Sequence, residues 1–541
     1  MRKEQKIFNR LEPVLFLVVA LLNLLPVLLV KYFPTVDGPA HLYNSRLMSE
    51  MMNNPSGTLS NYFVLANLIP TNLTDHYFFL LTGYFLPGYL GEKLLMLFYL
   101  IGLPYAFRYF IRSIRPDGTY LACFIFPFTY SFMFFYGFFN FHIALVFFLI
   151  SLTYLKKFYQ HTSVSYSIIF IMLITFVYLS HAFVFLVLLL YLALFHYRDI
   201  LCIISGSPGE MKNTAIARLI LLALVVAPAL LLMIISSTRT HSPGLPNDYI
   251  DFSQHLKWIR QIQPAKGIVY QREDIYTTWL FYLLVFLTIM TIYYMLIDTM
   301  NFVKGRLRII LKKEKEDMPH NLLLIISLVI LLLYFILPDM YKGYGFVSSR
   351  LLVFFFLFFI SWIASGYMNI WIKITAVLVI IVMNTFMLSI YIKESKKLNY
   401  SACEVEKAAT YIPPNSTVLP VNQSGKWIYG HFSNYLGIDK PMVILENYEA
   451  GLDYFPINWN VKKMPRMLFG EADSIASCLN WNSQTDNDPE IVTFVLLIKN
   501  MELNDDPCNK KINEILNRFY ERIFISQNSE IEMYKLVSEK K

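Results

Sequence analysis

Asp37 and His41 stand four residues apart in Thr35-Val36-Asp37-Gly38-Pro39-Ala40-His41, directly after the first long apolar run of the chain. A carboxylate beside an apolar run is partly desolvated, and such a group can serve as a general base that takes the proton of a hydroxyl nucleophile. If a helix starts here, His41 lies on the same face as Asp37. It could orient that acid, join it in binding a divalent cation, or cap a loop. Asp37 also has a purely structural reading, as the N-cap of a helix with Pro39 in its first turn.

Further polar groups collect at the ends of apolar runs: Asp75, His76, Asn140, His142, His181, His241, Asp339, Lys342 and Arg350. Polar side chains beside apolar spans are costly to keep there, so a grouping of this kind suggests a shared site. Asp75 and His76 fit the rim of a site that meets an acceptor or a phosphate, or else a helix cap. Arg350 opens an apolar run after Lys342-Gly343-Tyr344-Gly345. It either anchors that helix end or grips a phosphate oxygen in bidentate fashion. There is no Walker loop, dinucleotide glycine motif or HExxH, and the five cysteines lack metal-ligand spacing.

These residues need elements to hold them. The chain of 541 residues is 56% hydrophobic and only 16% charged, where a soluble protein has about 25% charged residues. That makes it a membrane protein, and the small excess of 46 Lys+Arg over 38 Asp+Glu sits largely in short loops, so nucleic acid is not an expected partner. Eleven runs can cross a bilayer: 14–30, 94–111, 120–135, 143–155, 167–179, 183–197, 216–235, 279–297, 322–337, 351–367 and 374–392. The first has no small-residue cleavage site after it, so it is expected to remain as an anchor.

Basic residues fix the orientation. Arg2, Lys3, Lys6 and Arg10 precede the first run. With eleven crossings, Arg108, Arg112, Arg115, Lys156, Lys157, Arg198 and the loop from Lys304 to Lys315 then all fall on the cytoplasmic side. Residues 77–89 are short and broken by Gly83, Pro87 and Gly88. Counting them as a twelfth crossing would reverse every later loop, so they read as a re-entrant or interfacial piece inside a first external loop, 31–91.

From residue 393 the composition turns polar. Residues 416–420, 441–445 and 491–498 read as strands, 509–524 as a helix and 530–537 as a final strand. The expectation is therefore a mainly α, polytopic membrane domain over 1–392, and an extracytoplasmic α/β domain over 393–541. Cys403, Cys478 and Cys508 lie in that tail, where one pair could form a disulfide if it is exported.

The layout resembles the GT-C superfamily of integral-membrane glycosyltransferases. The resemblance covers roughly the first 390 residues and rests on an acid in the first external loop just after the first span, here Asp37 in Val-Asp-Gly-Pro-Ala-His. It rests also on the helix-like stretch 46–89 within that loop and on a C-terminal extracytoplasmic domain. Two features depart from the family. The loop 136–142 offers Asn140 and His142 where many members carry a second acid, and Asp37 is followed by Gly38 where several branches have paired acids.

The resemblance implies transfer of a sugar from a polyprenyl-phosphate or polyprenyl-diphosphate carrier to a lipid, glycan or protein acceptor, with inversion at the anomeric carbon. Asp37 and His41 would be catalytic. Arg350, His142 and His181 would hold the donor phosphate, and Asp75, His76 and Asn140 would line the acceptor side or rim. A divalent cation, magnesium or manganese, could assist. The N-terminus would be cytoplasmic and the membrane a bacterial inner membrane. A flippase or transporter of lipid-linked saccharides is the competing class. It needs ionisable groups in mid-span, and the runs hold almost none. A membrane scaffold that presents the tail is a third.

Overall fold

The computed structural model describes residues 3–537 apart from 67–70, 162, 206–208, 238–245, 304–317, 342–344, 453, 464–465, 470–488 and 500–506. His241, Lys342, Cys478 and the basic loop from Lys304 to Lys315 thus lie outside the described residues.

Backbone amides and carbonyls cannot be left unpaired in lipid, so apolar runs of this length must become helices. Among the described residues eight helices are long and apolar enough to cross a membrane: Arg10–Leu28, Gly88–Ile114, Pro116–Tyr136, Phe139–Gln160, Gly209–Ser236, Tyr270–Ile297, Val347–Ser365 and Ile370–Tyr411. Ala182–Phe195 and Tyr197–Ile204 are a helix pair bent by 50°, a ninth span if the two are taken as one, and Val164–Ser180 and His320–Ile336 are shorter apolar helices. Each of the eleven apolar runs of the sequence falls on one of these helices, of which eight, or nine with the bent pair, have the length and composition of a span. The chain is an integral membrane protein. The stretch 77–89 yields only the nine-residue helix Thr74–Thr82, stopped at Gly83, and Gly88 already opens the next span.

The chain divides into two compact units. The first comprises Met1–Leu25, Leu97–Phe134 and Asn140–Tyr391. Its central helix is Val347–Ser365, 89% buried. Phe354 packs edge-on against Phe148 at 5.2 Å, and Phe358 stacks on Tyr191 at 5.7 Å. Tyr270–Ile297 is only 22% buried over its span and presents Trp279, Tyr282 and Ile289 outward, as a lipid-facing helix does. Glu12 and Arg108, on two different spans, form a bidentate pair with Nη2 to Oε2 at 2.7 Å. That pairing removes the cost of burying either charge alone.

The second unit comprises Pro26–Met96, Phe135–Phe139 and Ile392–Lys541. Its strands, in chain order, are β1 (Phe63–Leu65), β2 (Thr417–Asn422), β3 (Val443–Ile444), β4 (Ile457–Trp459), β5 (Arg466–Leu468), β6 (Pro489–Ile491), β7 (Phe494–Ile498), β8 (Tyr520–Ile525) and β9 (Ile531–Leu536). Five of them make a mixed sheet in the order β3-β2-β7-β9-β8, parallel on the β3-β2-β7 side and antiparallel beyond. β7, Phe-Val-Leu-Leu-Ile, is buried at every position, as a strand covered on both faces must be. The helix Pro507–Phe519 lays Ile512, Ile515 and Leu516 inward.

The helix expected over 509–524 is thus two elements. Helical spacing ends at Phe519, and residues 520–525 pair with β9 as a strand, because Tyr520 and Phe524 then bury together while Glu521 stays outside. β1 pairs antiparallel with β4, which ties the first loop to the C-terminal segment. At the β3 edge, the phenol of Tyr43 donates to Met442 O at 2.8 Å and accepts from Ile444 N at 3.1 Å. Cys508 is disulfide-bonded, and Cys123, Cys202 and Cys403 are free thiols.

Candidate functional site

Gly38–Asn53 is a helix, with Pro39 in its first turn, and Asp37 stands at its N-cap position. The carboxylate of Asp37 nevertheless makes no capping bond. Thr35 does that work: its Oγ1 accepts from Gly38 N at 3.1 Å. The backbone of Asp37 is pinned from the other side, since Val36 N and Asp37 N donate to Phe135 O and Tyr136 O at 3.0 and 2.9 Å. Gly137 makes that approach possible. It has φ +97°, and a Cβ there would lie 2.9 Å from the amide nitrogens of both Asp37 and Gly38. The main chain is fixed, and the side chain is released from helix duty.

That side chain meets His431. His431 Nε2 lies 3.7 Å from Asp37 Oδ1, while its Nδ1 is held by Glu446. Glu446 is itself fixed by Ser433 Oγ at 2.6 Å and Asn434 Nδ2 at 3.1 Å, and the imidazole stacks on Tyr448 at 4.3 Å. Burial lifts the Asp37 carboxyl to about 6, with His431 and His41 pulling it down and Glu449 and Glu446 pushing it up. Burial works against a charged His431, but Glu446, through its charge and hydrogen bond, and Asp37 outweigh it and lift the imidazole to about 9. The pair is therefore a carboxylate poised near neutrality beside an imidazolium.

One turn further along the same helix, His41 faces a second acid. His41 Nδ1 and Glu449 Oε1 are 2.7 Å apart, and His76 Nε2 and Glu449 Oε2 are 2.9 Å apart. Asp75 closes the ring, with Oδ1 at 2.8 Å from His76 Nδ1 and Oδ2 at 3.7 Å from His41 Nε2. All four side chains are buried. Burial opposes charge on His76, yet Glu449 and Asp75 raise it to about 10. Burial likewise raises Glu449, but His76 and His41 bring it down to about 2. Asn44 and Asn447 exchange amide hydrogen bonds at 3.1 and 2.7 Å, which locks the turn carrying Glu449 onto the Gly38–Asn53 helix.

The other sequence candidates lie in the first unit. Phe141 is their common neighbour: His142 and His181 meet its ring edge-on at 5.5 and 5.4 Å, and the Arg350 guanidinium sits 5.9 Å above it. His142 Nε2 is 3.1 Å from Ser131 Oγ, and Arg350 Nη1 donates to Gly345 O at 2.8 Å. His181 Nδ1 is buried with no hydrogen-bond partner among the described residues. Asn140 is buried at the start of the same helix as His142.

Sequence reasoning brought Asp37, His41, Asp75 and His76 forward and missed His431, Glu446 and Glu449. One signal was present. His431 is the single histidine after His320, which sets it apart in a tail otherwise without imidazoles.

No protein-family model matches the sequence, and no curated protein matches it. Among solved structures the chain is similar to ArnT from Cupriavidus metallidurans, crystallised bound to undecaprenyl phosphate, at 12% identity with a TM-score of 0.44. The similarity covers 97% of this chain and 98% of that one.

Proposed function

We propose that the protein is a membrane glycosyltransferase that moves a sugar from a polyprenyl phosphate or diphosphate carrier to an acceptor hydroxyl on the extracytoplasmic face. One observation carries the reading: a buried carboxylate, Asp37, excused from capping its helix by Thr35 and faced by an imidazole that Glu446 holds in place. The layout of the first loop and spans, which resembles GT-C enzymes, agrees with it. The disulfide at Cys508 suits a tail in an oxidising compartment, outside a bacterial inner membrane, with the N-terminus in the cytoplasm.

In the reaction, Asp37 takes the proton of the acceptor hydroxyl as its oxygen bonds to the anomeric carbon. The bond from that carbon to the carrier phosphate breaks, its electron pair stays on the phosphate oxygen, and the configuration inverts. His431 keeps Asp37 ionised until the proton arrives. The leaving phosphate requires positive charge, and Arg350, His142 and His181 are the group whose chemistry fits it. His41 serves to position the helix that carries Asp37, and Asp75, His76 and Asn140 support the acceptor side.

The deciding experiment is transfer from a synthetic polyprenyl-phosphate sugar to a membrane extract of acceptors by purified wild type and Asp37→Asn. Turnover is expected to fall by roughly 10²–10⁴-fold, with binding of the carrier retained. Equal turnover by both proteins would overturn the assignment.

A further inference from the structure

We propose that His41, His76 and Glu449 form a binding site for a divalent cation of the zinc type, with Asp75 as the carboxylate that orients His76. The proposal does not depend on the glycosyl-transfer reading. Each imidazole uses one nitrogen toward Glu449, Nδ1 of His41 and Nε2 of His76. Each turns its other nitrogen toward Asp75, at 3.7 Å for His41 and 2.8 Å for His76. His76 has the arrangement of a metal-binding histidine: its outer nitrogen donates to a carboxylate, which fixes the tautomer and leaves the inner one free to ligate, while Asp75 faces His41 through charge alone.

The donor atoms of the three residues all lie within 4.8 Å of one another, and all three residues are buried. A four-coordinate zinc holds its donors roughly 3–3.5 Å apart. Admitting the ion would therefore take both a small retreat of Glu449 and an approach of the donors that are furthest apart, by about an ångström. Two nitrogens and one carboxylate suit zinc and its neighbours, whereas magnesium and manganese favour oxygen-rich shells. With neutral imidazoles the two carboxylates carry two negative charges in a pocket walled by Phe455, 6.3 Å from His41 and 5.7 Å from His76, and by Phe139 at 6.1 Å from His41. A divalent cation cancels them. The ligands come from two helices and a turn near the far end of the sequence, so the ion would tie Gly38–Asn53, Thr74–Thr82 and the Glu449 turn together, with a fourth position left for water or substrate.

The test is elemental analysis of full-length protein, purified in detergent with its affinity tag removed, together with melting in chelator and in added zinc. About one zinc per chain is expected in wild type, with none in Glu449→Gln or His76→Gln. Asp75→Asn should bind about 10–100-fold more weakly. Chelator should lower the wild-type Tm and zinc restore it, and cobalt-loaded wild type should show the visible absorption of a four-coordinate site. If the variants fail to fold, the wild-type melting and cobalt spectrum decide alone. A metal-free wild type whose Tm ignores both chelator and zinc would show a metal-free ion-pair ring and overturn the proposal, as would stoichiometric magnesium or manganese in place of zinc.

Discussion

His431 Nε2 reaches within 3.7 Å of Asp37 Oδ1, although the two residues belong to opposite ends of the sequence. An imidazole held by Glu446 is thus the fixed counter-charge of the acid that the first loop presents.

The first prediction separates chemistry from capping. Because Thr35, and not Asp37, accepts the Gly38 amide, Thr35→Ala should lower stability by about 1 kcal/mol. Asp37→Asn should leave the melting temperature near wild type while removing turnover. Melting curves and transfer rates on the same preparations check it. The reverse pattern would return Asp37 to the role of a helix cap.

The pH profile follows from the same pair. Activity needs Asp37 ionised, which the charged His431 favours, so it should rise through about 6. His431→Gln removes the positive charge that pulls Asp37 down. Its acid limb should therefore move to higher pH. Stability has a definite sign as well. The folded-state value of His431 is raised from 6.5, so its contribution is complete below 6.5 and is lost as pH climbs through about 9. Asp37, raised from 3.8, loses its contribution earlier, between 3.8 and about 6. Wild type should accordingly lose more stability than His431→Gln between neutral and alkaline pH.

Gly137 offers a backbone test. Its φ of +97° and the 2.9 Å approach to the Asp37 and Gly38 amides leave no room for a side chain. Gly137→Ala should cost about 1–3 kcal/mol and reduce turnover by displacing Asp37. Activity that survives with an unchanged Tm would show that the loop 135–139 is not what sets the acid.

Arg350 should matter by geometry as well as charge. If its guanidinium holds phosphate, Arg350→Lys keeps the charge but loses the fork. Both Arg350→Lys and Arg350→Ala should weaken carrier binding, the alanine by about 10–100-fold, the loss of a charge-assisted hydrogen bond. His181→Ala should weaken it less. Titration with a fluorescent polyprenyl phosphate reads this directly, and unchanged affinity in all three variants would remove the cluster around Phe141 from the site.

The helices were readable from the sequence because apolar runs admit one solution in lipid, and each run falls on a helix, eight of them, or nine with the bent pair, of spanning length. The single acid after the first run was conspicuous for the same reason: little else near it is charged. Its partners were not. Nothing local marks Glu446 or Glu449, which matter only because Asn44, Tyr43 and β1 bind residues 442–459 to the first loop. Contacts between such distant segments leave no periodicity to read. The run 509–524 failed differently, since its apolar residues satisfy both a helix and a strand until pairing with β9 chooses between them.

Tyr43 has one more effect. An exposed edge strand ordinarily offers its free amides and carbonyls to any extended peptide that drifts past. At β3 a single phenolic oxygen occupies both the carbonyl of Met442 and the amide of Ile444. The sheet is therefore closed on that flank, and removal of one hydroxyl, Tyr43→Phe, would strand a buried carbonyl and a buried amide at a cost of about 1–3 kcal/mol.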